Sequence, residues 1–385
     1  MKRGMIGILT AILGLGLAGG GWAEKTPKAP YVVGAVCSIS GPNAPLGTPE
    51  RDTLLMLTEK LNQKGGVNGH PLKVMIEDDG SDNTNAVKAA KKLVEQDRVC
   101  ALIGSSGTGP TMAMIPVAEA NEVPQVSMAA GSAITIPLKK WVFRTAQTDN
   151  LAIRAILADL AGKRRINKVA LLYDSNAYGS NGRDQLRGLV PQYKVTVVAE
   201  EAFATKDTDM VVQLTKIRAT DAQAIICWGT NPAPAQVAKN RQQLGLDLPL
   251  LMSHGVANQA FLDQAGQAAD GVMLPAGKLI AAAALPRSDP QRKLLLEYAG
   301  DFQAKYNRPA DSFGGYAWDA LNIIVQALKR AGDNRAKLRE AIEQTRRLPG
   351  VSGMFTYAPD NHDGLGGDAF VMVRVSKGRW QLAKK

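Results

Sequence analysis

Cysteine and histidine are scarce in this chain of 385 residues, three of each. The cysteines, Cys37, Cys100 and Cys227, contain no C-x-x-C pair. An odd count leaves at least one thiol unpaired even where an oxidising compartment permits disulfides. His70, His254 and His362 form no H-E-x-x-H, so a zinc centre has few ligands to build from. The absence of a G-x-S-x-G, and of a triad context around any histidine, removes the usual marks of a hydrolase. No enzyme is expected. Acidic residues are in deficit, 35 against 46 basic ones, a net charge of +11 that falls to +9 without Lys2 and Arg3. The surplus is scattered, as in "KAAKK", "GKRR" and "QTRR", with no interleaved aromatics. That pattern reads as solvated helix faces and not as a nucleic-acid surface.

Long apolar runs are also missing, except at the N-terminus. "MKRGMIGILTAILGLGLAGGGWA" has a basic start, an apolar core from Met5 to Ala18 and a small-x-small end at Gly21-Trp22-Ala23. This is the pattern of a secretory signal, expected to be cut after Ala23. Its Gly14-x-Gly16-x-x-Gly19 matches a dinucleotide fingerprint by letter only, because no strand precedes it. No cysteine follows the cut, so no lipoprotein anchor is expected, and nothing downstream is long enough to cross a bilayer. The expected product is an exported, soluble chain of about two domains.

The remaining sequence alternates strand, loop and helix. "YVVGAV", "LKVMIE", "VCALIG" and "VPQVSM" read as buried strands, separated by amphipathic segments such as "NTNAVKAAKKLVEQ". Thr48 reads as a helix cap with Pro49 at the first position, and Gly65-Gly66 as the stop. A second series follows in "KVALLYD", "VTVVAEE", "AQAIICWG" and "LPLLMS". Long helices are predicted at 290–306 and 313–331, then a hairpin turning at Ser376-Lys377-Gly378. The pattern predicts an α/β protein of two lobes, each a doubly wound parallel sheet. Cys37 then falls at the carboxyl end of one strand and Cys100 at the start of another, too far apart to bridge, while Cys227 lies in the other lobe. No disulfide is predicted. Asp78, Asp79 and Asp82 in "EDDGSD" lack an EF-hand spacing and read as a cap and loop.

"IGSSGTGPT", Ile103 to Thr111, lies at a strand's carboxyl end and leads into a helix, the place where open α/β sheets bind ligands. Its glycines, its hydroxyls and the free N–H groups of the helix favour an anion. A nucleotide loop would need a lysine, but Gly109 is followed by Pro110.

"SISGPNAPLG", "LNQKGGVNGHPLKVMIEDDGSD", "VFRTAQTD", "YDSNAYGSNG" and "AGQAADGVMLP" together resemble the branched-chain amino-acid-type periplasmic binding proteins. The resemblance runs from Tyr31 to the C-terminus. It implies a type I periplasmic binding fold: two lobes joined by three crossover segments, closing on a small solute for an ABC transporter. Lobe one would comprise 24–147 and 277–352, and lobe two 148–276 and 353–385. The implied partners are a small solute and the permease subunits. The chain is expected to act in the periplasm as a monomer, without cofactor or metal.

Carried over position by position, the family's carboxylate-binding serine becomes Thr108, next to Ser106. The following segment supplies Ala129, Ala130, Gly131 and Ser132, with Gly131 where the family has threonine. Leu46 replaces an aromatic, Tyr178 is kept, and Trp228, Thr230 and Asn231 stand in place of a tyrosine-rich stretch. Trp228 is a candidate pocket aromatic; Trp141, Trp318 and Phe313 could serve the pocket or the cores. The family's acidic partner for an α-ammonium is here His254. A buried ammonium without an anionic partner is costly, so a small organic acid, aromatic or 2-keto, is expected, with His254 donating to a carboxylate, carbonyl or hydroxyl. An amino acid whose acidic partner comes from elsewhere, with Asp311 and Asp319 as candidates, is the alternative; a soluble sensory receptor is another.

Overall fold

A computed structural model describes Met1 and residues 28–383, so the expected signal segment lies, apart from Met1, outside the described residues. The first sheet is formed by β1 (Tyr31–Cys37), β2 (Leu72–Asp78), β3 (Ala101–Gly104), β4 (Gln125–Ser127) and β5 (Val142–Arg144). They are all parallel, in the order β2-β1-β3-β4-β5. Between them run α1 (Ala44–Gln63), α2 (Asn83–Lys91) and α3 (Thr108–Ala120). Alternation along β1 explains the double winding. Val33, Ala35 and Cys37 pack into one apolar cluster, while Val32 and Val36 pack into a second with Leu93, Met114 and Val117.

The second lobe repeats the scheme with α4 (Asp149–Ala158), β6 (Lys168–Asp174), α5 (Ala177–Leu189), β7 (Thr196–Phe203), α6 (Val211–Arg218) and β8 (Ala224–Trp228). It continues through α7 (Ala233–Gln243), β9 (Leu250–Met252), α8 (Gln259–Ala265) and β10 (Met273–Gly277). The chain then returns to the first lobe as α9 (Arg292–Tyr306), α10 (Ser312–Ala331), α11 (Arg335–Glu343) and the short pair β11 (Leu348–Pro349) and β12 (Met354–Phe355). It ends in the second sheet with β13 (Phe370–Ser376) and β14 (Arg379–Leu382), antiparallel to each other. Their tight turn is Lys377-Gly378, both at positive φ, which is the backbone a two-residue hairpin demands. The second sheet has the order β14-β13-β10-β9-β8-β6-β7.

Two expected boundaries move. The first helix starts at Ala44 and runs through Pro49, so Thr48 is inside it and caps nothing. Pro45 already occupies the first turn, where its missing N–H costs no bond. The third passage between lobes also comes later than position 353. Phe355, Tyr357, Leu365 and Ala369 pack in the first lobe's core, whereas Phe370 packs against the second.

Asp78, Asp79 and Asp82 do the local work expected of them. Asp78 accepts from the amides of Ile39, Ser40 and Gly80, Asp79 from Ser81 and from the Ser105 hydroxyl, and Asp82 caps α2 through Asn85 N. All three cysteines are free and buried. Cys100 N bonds to Val32 O, which puts it five residues back along β1 from Cys37, roughly 16 Å at the usual rise per residue. Burial pushes all three thiols upward, Cys100 to about 12. Thiol titration of denatured, unreduced protein should therefore count three per chain, and the folded protein should react slowly. A count below three would contradict this arrangement.

Candidate functional site

A cleft of about 590 Å³ lies between the carboxyl ends of the two sheets, a volume typical of small-molecule sites. Lobe one lines it with Asn43, Leu46, Ser106–Pro110, Met128–Ala130, Phe313 and Tyr316. Lobe two contributes Asn176–Tyr178, Ala204–Lys206, Thr230, His254 and Gly255. The charged side chains that line the cleft, Asp82 of lobe one and Lys206 of lobe two, are both exposed. The buried part of the cleft is therefore polar without formal charge.

On the first lobe, α3 opens at Thr108, directly after the glycine-rich loop. The first N–H groups of such a helix have no partner within it and carry partial positive charge. The Thr108 hydroxyl accepts from Gly131 N at 3.3 Å, which leaves its own proton free to be donated. Ser106 is different. Its hydroxyl accepts from Ser38 N at 3.0 Å and donates to buried Glu50, so it holds the loop in place and has no proton left for a ligand.

The expected amide cradle is mostly occupied. Ala129 N donates to the Ser127 hydroxyl, Gly131 N to Thr108, and Ser132 N to Asn181 of lobe two at 2.8 Å. Of these four neighbouring amides, Ala130 alone has no protein partner among the described residues. The carbonyls of Ala130 and Gly131 both accept from Nη1 of Arg144, at 2.9 and 2.7 Å. The other end of that guanidinium reaches Thr135 and Asp363.

Gly131 and Thr108 explain one another. A Cβ at 131 would stand 2.4 Å from the Thr108 Cγ2. The extra methyl of threonine, where the family pattern has serine, fills the space that a side chain at 131 would take. The two departures are one exchange of volume.

On the second lobe, Tyr178 begins the first turn of α5, whose cap is the Asn176 side chain bound to Gly179 N. Tyr178 is buried and its hydroxyl has no hydrogen-bond partner at normal geometry. Thr230 donates across the cleft to Asn43 at 3.2 Å. His254 is 2% exposed, with its ring 6.2 Å from that of Tyr178. Its Nε2 lies 3.2 Å from the Gln147 carbonyl oxygen, on the first crossing between lobes. Burial, helped by the Arg144 charge, pushes its pKa down to about 4 against the opposing pull of that carbonyl. The ring is neutral near pH 7.

Eight of the twelve predicted residues come together: Leu46, Ser106, Thr108, Ala129, Ala130, Tyr178, Thr230 and His254 line the cleft. Four do not. Gly131 and Ser132 stand behind the lining as contacts to Thr108 and Asn181. Trp228 is fully buried in the core under α5, where a Cβ on Gly182 would strike its ring at 2.1 Å. Asn231 is also buried and bonds to Asn258, the cap of α8. Trp228 was expected at the cleft because it ends a strand, but its side chain turns toward the helix layer. The sequence reading missed Tyr316, whose hydroxyl donates to Gln147 at 2.9 Å, and it missed Asn43, Met128 and Lys206. Phe313 lines the cleft, Trp141 is buried away from it, and Trp318 faces a groove between helices. Asp311 caps α10 through Gly314 N, and Asp319 accepts from Val351 and Ser352 N, so neither candidate acid reaches the ligand space. Asp149, the last residue of "VFRTAQTD", is a buried carboxyl near the cleft that the sequence reading did not single out as a site residue; both its oxygens lack partners at normal geometry among the described residues, and burial drives its pKa up.

The volume exchange is testable. Gly131→Thr alone should destabilise the protein by about 1–3 kcal/mol through overpacking. Adding Thr108→Ser should recover much of that loss, a positive coupling measurable by a double-mutant cycle. Simple additivity would show that the two positions do not compete for space.

The model of the family described as "Periplasmic binding protein" matches residues 30–379. The leucine-, isoleucine-, valine-, threonine- and alanine-binding protein of Pseudomonas aeruginosa is 28% identical over 309 residues, 79% of each chain. An extracellular ligand-binding receptor from Rhodopseudomonas palustris HaA2 superposes with a TM-score of 0.87 at 26% identity, covering 92% of this chain and 100% of that one. A branched-chain amino acid transporter substrate binding protein of Streptococcus pneumoniae, solved in complex with isoleucine, shares the fold with a TM-score of 0.81 at 23% identity, over 91% of this chain and 98% of that one. With the two-lobed parallel-sheet architecture and the cleft between its carboxyl ends, these matches identify the chain as a member of the periplasmic binding protein family, of the branched-chain amino-acid-binding type.

Proposed function

We propose that this protein captures a small organic carboxylate without an α-ammonium in its interlobe cleft and presents it to the permease of an ABC transporter. The carboxylate is held by the Thr108 hydroxyl, the first N–H groups of α3 and the Ala130 amide. Lobe two closes over the rest through Tyr178, Thr230 and His254. The observation that carries the reading is His254, a buried neutral ring where amino-acid binders place an acid, in a cleft whose interior has no charged lining residue. An ammonium enclosed there would lose its hydration for neutral partners only, at a cost of roughly 3–5 kcal/mol, or two to four decades in affinity. The chain is proposed to reach the periplasm through a signal cut after Ala23 and to act there as a monomer.

A second reading has one specific support. Asp149 could serve as the missing counter-charge for an amino acid, because it is a buried carboxyl near Tyr178 whose neighbouring donors, the Ser132 amide and the Trp228 indole, are off normal hydrogen-bond geometry. Calorimetry with matched pairs separates the two: leucine against its 2-hydroxy and 2-oxo acids, and phenylglycine against mandelate and benzoylformate. The acids should bind and the amino acids should be weaker by about a hundredfold or more. Tight binding of the amino acids alone would replace the first reading with the second, and Asp149→Asn should then abolish it.

Among the described residues, hydrogen bonds from Thr230 to Asn43, Ser132 to Asn181, the Asp149 amide to the Ala130 carbonyl and His254 to Gln147 already join the lobes. Ligand binding should favour this closed arrangement by hinge motion about the crossings, with little change inside each lobe. Solution scattering should show a smaller radius of gyration at saturation. An unchanged profile would contradict closure as the mechanism.

A further inference from the structure

We infer that the ligand group facing His254 is an uncharged hydrogen-bond donor, a hydroxyl, and that His254 selects for it as an acceptor through Nδ1. The inference rests on the carboxylate reading above and narrows its ligand class. A neutral imidazole carries one N–H and one lone pair, and the bond made by one nitrogen fixes the role of the other. The Gln147 carbonyl can only accept, so the nitrogen 3.2 Å from it, Nε2, holds the proton. Nδ1 is therefore a lone-pair acceptor. It is buried and has no protein partner among the described residues, on a residue that lines the cleft. This reverses the donor role expected for His254 from the sequence.

Groups around the ring leave that role unchanged. Tyr178, Trp228 and Phe370 present ring edges or faces to it, and burial, with a smaller contribution from the Arg144 charge, keeps it unprotonated. Tyr178, beside it on the same lobe, has a buried hydroxyl that lies near Ser253 and Gly255 but has no partner at normal geometry among the described residues. A ligand hydroxyl can donate to His254 Nδ1 and accept from Tyr178 Oη, which satisfies both buried groups. A keto oxygen can only accept, so it serves Tyr178 and leaves Nδ1 unpaired. A plain methylene serves neither. Leaving a buried acceptor unsatisfied is worth about ten- to a hundredfold in affinity.

The test uses mandelate, benzoylformate and phenylacetate, which share a carboxylate and a ring and differ only in the hydroxyl, keto or methylene group. Mandelate should bind about ten- to a hundredfold more tightly than either of the others. His254→Leu should erase that advantage while changing phenylacetate affinity far less. Nitrogen NMR of the histidine rings gives an independent readout that needs no variant. In the free protein His254 should be protonated at Nε2 alone, and its Nδ1 resonance should move upfield when mandelate saturates the site. Equal or tighter binding of benzoylformate, a proton on Nδ1, or an Nδ1 resonance indifferent to bound mandelate would overturn the inference while leaving the carboxylate reading intact. Binding of phenylglycine alone would overturn both. If none of these acids binds, the carboxylate reading falls, and the protonated nitrogen in the free protein still decides the role of His254.

Discussion

The Arg144 guanidinium is the tie on which the site depends. It is completely buried at the end of β5, where the chain first leaves lobe one. It grips the carbonyls of Ala130 and Gly131 and, through Thr135 and Asp363, the segment that later returns to lobe two. Its own backbone is held by His362 and by the Tyr357 hydroxyl. A buried cation is tolerable only when nearly all its donors are matched, and breaking such a set destabilises strongly. One side chain thus fixes the ligand-side loop, the start of the first crossing and the approach to the third. Its charge also reaches the cleft, where it disfavours protonation of His254 and opposes the upward shift of Asp149.

From that anchor the division of labour between lobes follows. Lobe one offers a helix end, a threonine hydroxyl and an amide, all suited to an anion and all held by the sheet behind them. Lobe two offers groups whose hydrogen-bonding capacity is unfilled: the Tyr178 hydroxyl and the His254 Nδ1. Buried polar atoms without partners are uncommon in native proteins, and these two belong to residues that line the cleft. On the proposed reading, selectivity in this cleft is a matter of which donors and acceptors the solute brings, because the buried lining carries no charge to be matched.

Much of this was legible in the sequence. Short continuous apolar runs alternating with amphipathic helical segments were enough for the two mainly parallel sheets, because such runs reflect burial of a strand on both faces. The loop that carries Thr108 was legible because it ends a strand and starts a helix, while Thr108 itself was singled out by the family resemblance. Boundaries governed by long-range packing were less so. The first helix begins four residues before Thr48 because Pro45 can occupy its first turn, and Phe355 to Ala369 stay with lobe one because that core has room for their side chains. Trp228 shows the limit most clearly: its position at a strand end was right, but the direction of its side chain depended on Gly182 opening a slot under α5.

The sequence by itself determined the fold class, the alternation of two sheets and the anion-suited loop. These are local or periodic properties, written in neighbouring residues; the histidine at position 254 stood out only through the family resemblance. Tertiary structure alone decided what each polar group can still do. Ser106 is silenced by Glu50, Gly131 makes way for Thr108, and Gln147, more than a hundred residues away, fixes which nitrogen of His254 carries the proton. A side chain's type states how many donors and acceptors it has. Only its folded partners determine which of them remain for a ligand.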